Sequence, residues 1–267
     1  MQIIKANGSR EEFSEEKVLA SIQRAGVPSD LQNEVLEHIK AALYEDIPTS
    51  EIYKHIQEYL GKTKVEYKQK YSLKQAIMEM GPSGHPFEKF IAEIFKAMGY
   101  ETQVGVVLEG ESIKHEVDII ATKGNEKVFT ECKFHNRPGS ISEVQVALYT
   151  KARYDDLKDK HGFTGAMLAT NTKVSVDALE YLKRKDIGVM SWAYPEGASL
   201  RDMVEAYKLY PVTALSNLTL AQKQELLSKD IILIKQIAEN PEILNQAFLP
   251  SEKKREVIEM ARSIYSN

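Results

Sequence analysis

A single cysteine, Cys132, in 267 residues excludes an intrachain disulfide framework and a cysteine-rich zinc site. Long apolar runs are also missing. None approaches the roughly 20 residues that span a bilayer, so no membrane-spanning helix is expected. Nor is there an excess of positive charge: 35 Lys and Arg stand against 39 Asp and Glu, a formal charge of −4. That excludes a wholly basic nucleic-acid coat. It leaves room for a local basic groove, because net charge says nothing about distribution. The opening residues, MQIIKANGSREEF, lack the charged, apolar and small-residue zones of a signal peptide, so the expectation is a soluble cytoplasmic protein.

What is present is ordinary for a globular chain, with 43% hydrophobic and 28% charged residues. Length alone implies about two domains. The punctuation of the chain implies three blocks. Gly81-Pro82-Ser83-Gly84-His85-Pro86 packs two glycines and two prolines into six residues, which cannot sit inside regular structure. We read residues 1–80 as one domain, 81–86 as a linker, 86–198 as a second domain and 199–267 as a helical C-terminal domain.

The first block opens with a short strand at 2–5 and an Asn7-Gly8 turn. Ser14 is placed to cap a helix carrying Val18, Leu19, Ile22 and Ala25 at helical spacing. Gly26 and Pro28 end that helix, and three more follow, the third capped at Thr49-Ser50-Glu51. The second block reads α-β-β-β-α-β-α-β. It has a helix over 87–98, strands over 101–108, 116–122 and 127–134, and a long helix over 142–160. A strand over 165–170, a helix over 175–185 and a strand over 187–192 complete it. The third block is helical, broken by Asn240-Pro241 and Leu249-Pro250. We expect it to serve packing or oligomerisation, since it lacks the glycine hairpin of a helix-hairpin-helix DNA binder.

Chemistry concentrates in the middle block. Asp118 lies in the strand HEVDII, and Glu131 and Lys133 lie in the strand TECKF. Side chains alternate along a strand, so Glu131 and Lys133 share a face and Cys132 points away into the core. Thirteen residues separate Asp118 from Glu131, enough for a hairpin that sets them side by side. Charges in the middle of apolar strands are costly unless paired or metal-bound. Two carboxylates on one face suit Mg²⁺, which keeps several waters and accepts phosphate oxygens. A neighbouring lysine can balance charge at a reacting phosphate. The same residues also fit a strand salt bridge of Lys133 with Asp118 or Glu131. Glu88 opens the preceding helix, and Gln145 and Tyr149 share a face of the following one. His135 reads as a surface histidine, and Trp192 and Tyr194 as packing residues.

Pro86-Phe87-Glu88, Met98-Gly99-Tyr100, Glu116-Val117-Asp118 and Glu131-Cys132-Lys133, followed by a helix with Gln145, resemble the PD-(D/E)xK nuclease superfamily, and within it the Mrr-like (type IV) restriction endonucleases. The resemblance implies an α/β restriction-endonuclease-like core, αβββαβ, with a mixed sheet flanked by helices. It implies that Asp118 and Glu131 bind Mg²⁺ or Mn²⁺, that Lys133 is the catalytic lysine, and that Glu88 and Gln145 support them. His115-Glu116 stands where Mrr-like proteins often have a glycine-rich approach.

Ile3-x-Lys5-x-Asn7-Gly8, then Phe13, Lys17 and Ser21-Ile22-x-x-Ala25-Gly26, resembles the ATP-cone, a small, mainly helical nucleotide-binding module. That resemblance implies ATP or dATP held by Ile3, Lys5, Asn7, Gly8, Lys17, Thr49 and Lys74, with Glu11 and Tyr53 near the base. Ala6 and Tyr53 depart from the residues many cones carry. Lys62, Lys64, Lys68 and Lys70 read as a solvated helix face. Together the readings imply a metal-dependent DNA endonuclease with a nucleotide effector, a homo-oligomer with a restriction or defence role. The alternative is a non-catalytic, nucleotide-sensing DNA-binding regulator with a nuclease-like fold.

Overall fold

The structure, a computed structural model, describes residues 1–5, 8–24, 27–63, 65–137 and 139–265. Chain contacts divide it into two compact units, Met1–Leu73 and Lys74–Asn267.

In the first unit, β1 (Gln2–Ile4) runs antiparallel to β2 (Arg10–Glu12), with Ile3 opposite Glu11. Gly8 turns the chain between them at φ +82°, a conformation that side chains resist. The helix α1 (Glu15–Arg24) begins where expected, with Ser14 Oγ accepting from the Lys17 amide at 3.3 Å. Next come α2 (Ser29–Ala42), then β3 (Ile47–Pro48), which pairs parallel with β1, then α3 (Thr49–Thr63) and α4 (Val65–Met78). Ile22, Val35, Ile39, Ile56 and Leu60 form the core at the helical spacing that the sequence displays, together with Ile47 of β3.

The second unit takes in the end of α4, then α5 (His85–Ala97), β4 (Glu101–Glu109), β5 (Lys114–Lys123) and β6 (Glu126–Lys133). The short β7 (Ile141–Ser142) precedes α6 (Val144–His161), β8 (Gly165–Thr170), β9 (Lys173–Val174), α7 (Val176–Arg184) and β10 (Ile187–Met190). The main sheet has the order β10-β8-β6-β5-β4. β4, β5 and β6 form an antiparallel meander, and β8 and β10 join parallel to β6. This is a mixed sheet in the αβββαβ order, because parallel neighbours need a helical crossover and antiparallel ones only a turn. Buried Phe87, Phe90 and Phe95 of α5, with Phe129 of β6, supply much of the core; each contributes about 1.5–3 kcal/mol.

The C-terminal helices fall in the same compact unit as this sheet. They are α8 (Leu200–Ala206), α9 (Leu220–Ser228), α10 (Ile234–Glu239) and α11 (Ser251–Tyr265), with 3₁₀ turns at Val212–Ala214 and Pro241–Gln246. Buried Thr213 donates to the Ala76 carbonyl at 2.6 Å, and Lys223 pairs with Glu79 at 2.7 Å. The pair β7–β9 escapes a sequence reading, since two-residue strands have no period to detect.

Candidate active site

β5 and β6 pair from Lys123↔Glu126 as far as Ile119↔Thr130, and there they part. Beyond that point β5 continues only with β4, and β6 only with β8. Continuing the register sets Asp118 opposite Glu131, at the mouth of the fork. On its other side Asp118 faces Gly105, which lies between the pairs Val104↔Ile119 and Val106↔Val117 with φ +65°. Backbone groups released by the fork need new partners. The Cys132 amide donates to Asp118 Oδ2 at 2.6 Å. The Glu116 carbonyl accepts from Arg153 Nη2, and the same guanidinium gives Nη1 to Glu131 Oε2.

The two carboxylates are therefore arranged alike. Each has one oxygen held by the protein, and Asp118 Oδ1 and Glu131 Oε1 accept no hydrogen bond from the described residues. Burial pushes Asp118 up to about 6, and the charge of Glu88 adds to the rise while the Cys132 amide opposes it. Burial pushes Glu131 up to about 7, with the neighbouring Asp118 charge adding. Two crowded acids, Glu131 buried and Asp118 partly so, with unfilled oxygens form a hard-oxygen donor set suited to a divalent cation. Among the described residues no three His, Cys, Asp or Glu side chains converge as a metal cluster.

Lys133 ends β6 exposed, on the same face as Glu131, and forms no ion pair among the described residues. The strand salt bridge open to it on sequence grounds is not formed. Arg153, about two and a half turns into α6, takes that place. Glu88 sits in the first turn of α5 with His85 Nδ1 3.1 Å from its Oε2, and its charge is felt by both carboxylates. Gln145 is exposed in the first turn of α6, on one stripe with Tyr149 and Arg153. The Tyr149 ring lies 5.3 Å from the guanidinium carbon.

Other residues stand differently from their sequence reading. His135 is not a surface residue: it is partly buried, Nε2 meets Ser142 Oγ at 2.9 Å, and burial lowers its pKa, with Lys133 adding. Buried Asn171 grips the same segment, accepting from the His135 amide and donating to its carbonyl at 2.8 and 2.9 Å. Tyr194 is exposed rather than packed. His115 is an anchor. Its Nε2 lies 2.8 Å from Asp156 Oδ2, and Asp156 also accepts the Ser112 and Ile113 amides. Those hydrogen bonds, that of Ser112 foremost, lower Asp156 to about 2. They tie α6, one turn beyond Arg153, to the β4–β5 loop. No local pattern announces such long-range partners.

In the first unit, Glu11 on β2 pairs with Lys5 through Oε2 and with Lys17 through Oε1. Ile3 is buried on β1, Gly8 makes the turn, and Thr49 opens α3. Tyr53 stacks on Tyr71 at 4.9 Å. Asn7 and Lys64 lie outside the described residues, as do the side chains of Lys68 and Lys70. Lys74 belongs to the second unit, its ammonium 5.5 Å from the centre of the Trp192 ring.

The chain matches three family profiles. Residues 1–77 match the ATP cone domain, residues 80–194 the restriction endonuclease family Mrr_cat, and residues 210–265 the AF1548-like C-terminal domain. An uncharacterized protein of Archaeoglobus fulgidus is 33% identical over 175 residues, 65% of this chain and 99% of that protein. The crystal structure of the protein of unknown function AF1548 superposes with a TM-score of 0.61 at 31% identity, over 69% of this chain and all of that one. No helix among the described residues is long and apolar enough to cross a membrane. With its carboxylate fork on a restriction-endonuclease-like sheet, the chain belongs to the AF1548-like family, and joins an ATP cone, an Mrr-type restriction endonuclease domain and an AF1548-like C-terminal domain in one polypeptide.

Proposed function

We propose that the protein is a Mg²⁺- or Mn²⁺-dependent endodeoxyribonuclease that hydrolyses DNA phosphodiester bonds under the control of ATP or dATP. It would act as a homo-oligomer in the cytoplasm, in restriction or defence. One observation carries the reading: Asp118 and Glu131 meet where β5 and β6 part, each with one oxygen tethered and one unbonded among the described residues.

Asp118 Oδ1 and Glu131 Oε1 would hold the cation. When bound, a divalent cation supplies Lewis-acid stabilisation of phosphate charge and a more acidic water. The chain's own groups do the rest. Lys133, exposed and without an ion pair among the described residues, would meet the attacking water or the charge that grows on the phosphate. Glu88 adds negative charge at the fork, and Gln145, at the exposed start of α6, would orient substrate. At the cone, Lys5 and Lys17 would take phosphate oxygens, with Ile3, Asn7, Gly8 and Thr49 around the nucleotide. Lys74 stands beside Trp192 in the second unit.

The test is a cleavage assay across methylated, unmodified, branched and nicked DNA with Mg²⁺ or Mn²⁺, with and without ATP and dATP. We expect cleavage of at least one substrate, lost in Asp118→Ala and Lys133→Ala with the fold intact by circular dichroism. Undiminished cleavage by either variant overturns the mechanism. Nucleotide and DNA binding without any cleavage would favour the regulator instead.

A further inference from the structure

The buried guanidinium of Arg153 is a curious investment. It is 7% exposed, set against the rings of Phe129 and Tyr149, and its Nε is buried without a partner among the described residues. An orphaned buried donor and a buried ion pair are both costs, and a well-packed apolar residue often serves stability as well or better. What Arg153 does achieve is local. Its two terminal nitrogens bridge the two sides of the fork, one on the Glu116 carbonyl of β5 and one on Glu131 Oε2 of β6. It thereby fixes which oxygen of Glu131 faces the open site. It also occupies the carboxylate that would otherwise draw in Lys133, two residues along the same face.

We infer that Arg153 is the positioning residue of the site: it holds Glu131 so that Oε1 is presented beside Asp118, and it keeps Lys133 out of an ion pair. Arg153 touches neither substrate nor cation and acts only through Glu131. Its own position is fixed from both sides. Asp156, one turn further along α6, is tied to the β4–β5 loop, and the rings of Phe129 and Tyr149 lie 5.8 and 5.3 Å from the guanidinium carbon. The inference rests on the nuclease reading for the purpose of the site, but its test does not need cleavage.

The experiment is calorimetric titration of the full-length protein with Mn²⁺ in the absence of DNA. Removing a group that orients a ligating side chain weakens metal binding about 10- to 100-fold. We expect a loss in that range for Arg153→Met, and for Arg153→Lys, which restores the charge but not the two-pronged bond. In cleavage, both should lower kcat and leave KM and DNA affinity unchanged. Tyr149→Ala removes an exposed ring from the guanidinium and spares the core; we expect Mn²⁺ binding to weaken about threefold. Wild-type Mn²⁺ affinity in a folded Arg153 variant overturns the inference. If neither Arg153 variant folds, wild-type affinity in Tyr149→Ala overturns it. Failure of the unaltered protein to bind Mn²⁺ would instead sink the metal-dependent nuclease reading itself.

Discussion

Two charged clusters in this chain are near mirror images. In the first unit, two lysines, Lys5 and Lys17, share one carboxylate, Glu11. In the second, two carboxylates, Asp118 and Glu131, stand near one guanidinium, Arg153, which bonds Glu131 and is felt by Asp118 only through its charge. The first cluster has positive charge to spare and the second negative. The first is largely solvated, while the second is buried in the sheet. Each imbalance defines the ligand that would complete it: an anion such as a nucleotide phosphate at the cone, and a cation at the fork. Burial sets the stakes, because charge left unbalanced in a low dielectric is far more costly than in water.

The largest effect expected from breaking this contrast lies at the fork. Asp118→Asn or Glu131→Gln should reduce cleavage about a thousandfold, the scale of losing a fixed charge at a reacting phosphate. Turnover rates with circular dichroism as a fold control check this, and a variant with near-normal turnover would break the comparison on the nuclease side.

The cone lysines come next. Lys5→Ala and Lys17→Ala should each weaken ATP binding about tenfold, the value of one charge-assisted hydrogen bond. Calorimetry on the full chain measures it, and unchanged affinity in both variants would remove these lysines from the nucleotide site.

Stability against pH separates the clusters in another way. Asp118 and Glu131 have folded-state pKa values raised above those of the unfolded chain, to about 6 and about 7. Between about pH 4 and 7 the folded chain holds protons that the unfolded chain has released. Without metal, their contribution to stability is therefore present at low pH and lost as pH rises through that window. Thermal melts of the wild type minus those of Asp118→Asn/Glu131→Gln isolate this part. The difference should fall with rising pH and level off above about pH 7. A difference that does not vary with pH would mean that burial does not raise these acids.

Salt gives the smallest effect. Raising ionic strength tenfold should weaken nucleotide binding at the exposed lysines several-fold, and Mn²⁺ binding at the buried pair less, because screening acts mainly on solvated charges. Equal sensitivity at both sites would erase the distinction in burial.

Part of this was legible along the chain. Helical spacing marked Ile22, Val35 and Ile56 as core, and Ser14 announced the start of α1. Alternation placed Glu131 and Lys133 on one face, and the run of short strands implied the meander that brings Asp118 opposite Glu131. The misreadings share a cause. His135 reads as a surface histidine until Ser142, seven residues on, meets its ring, and no local pattern marks Arg153, whose partner Glu131 lies 22 residues away. His115 finds Asp156 across 41 residues.

Local pattern thus determined the elements, their order and the residue types able to bind a metal or a phosphate, because periodicity, capping and turn chemistry act over a few residues. Tertiary structure alone decided where β5 and β6 separate, which oxygen of each carboxylate is left unbonded and which cation is spent on Glu131. Those outcomes depend on register and on side chains that only the packed sheet and α6 bring together, and the same packing decides which charges lose their water.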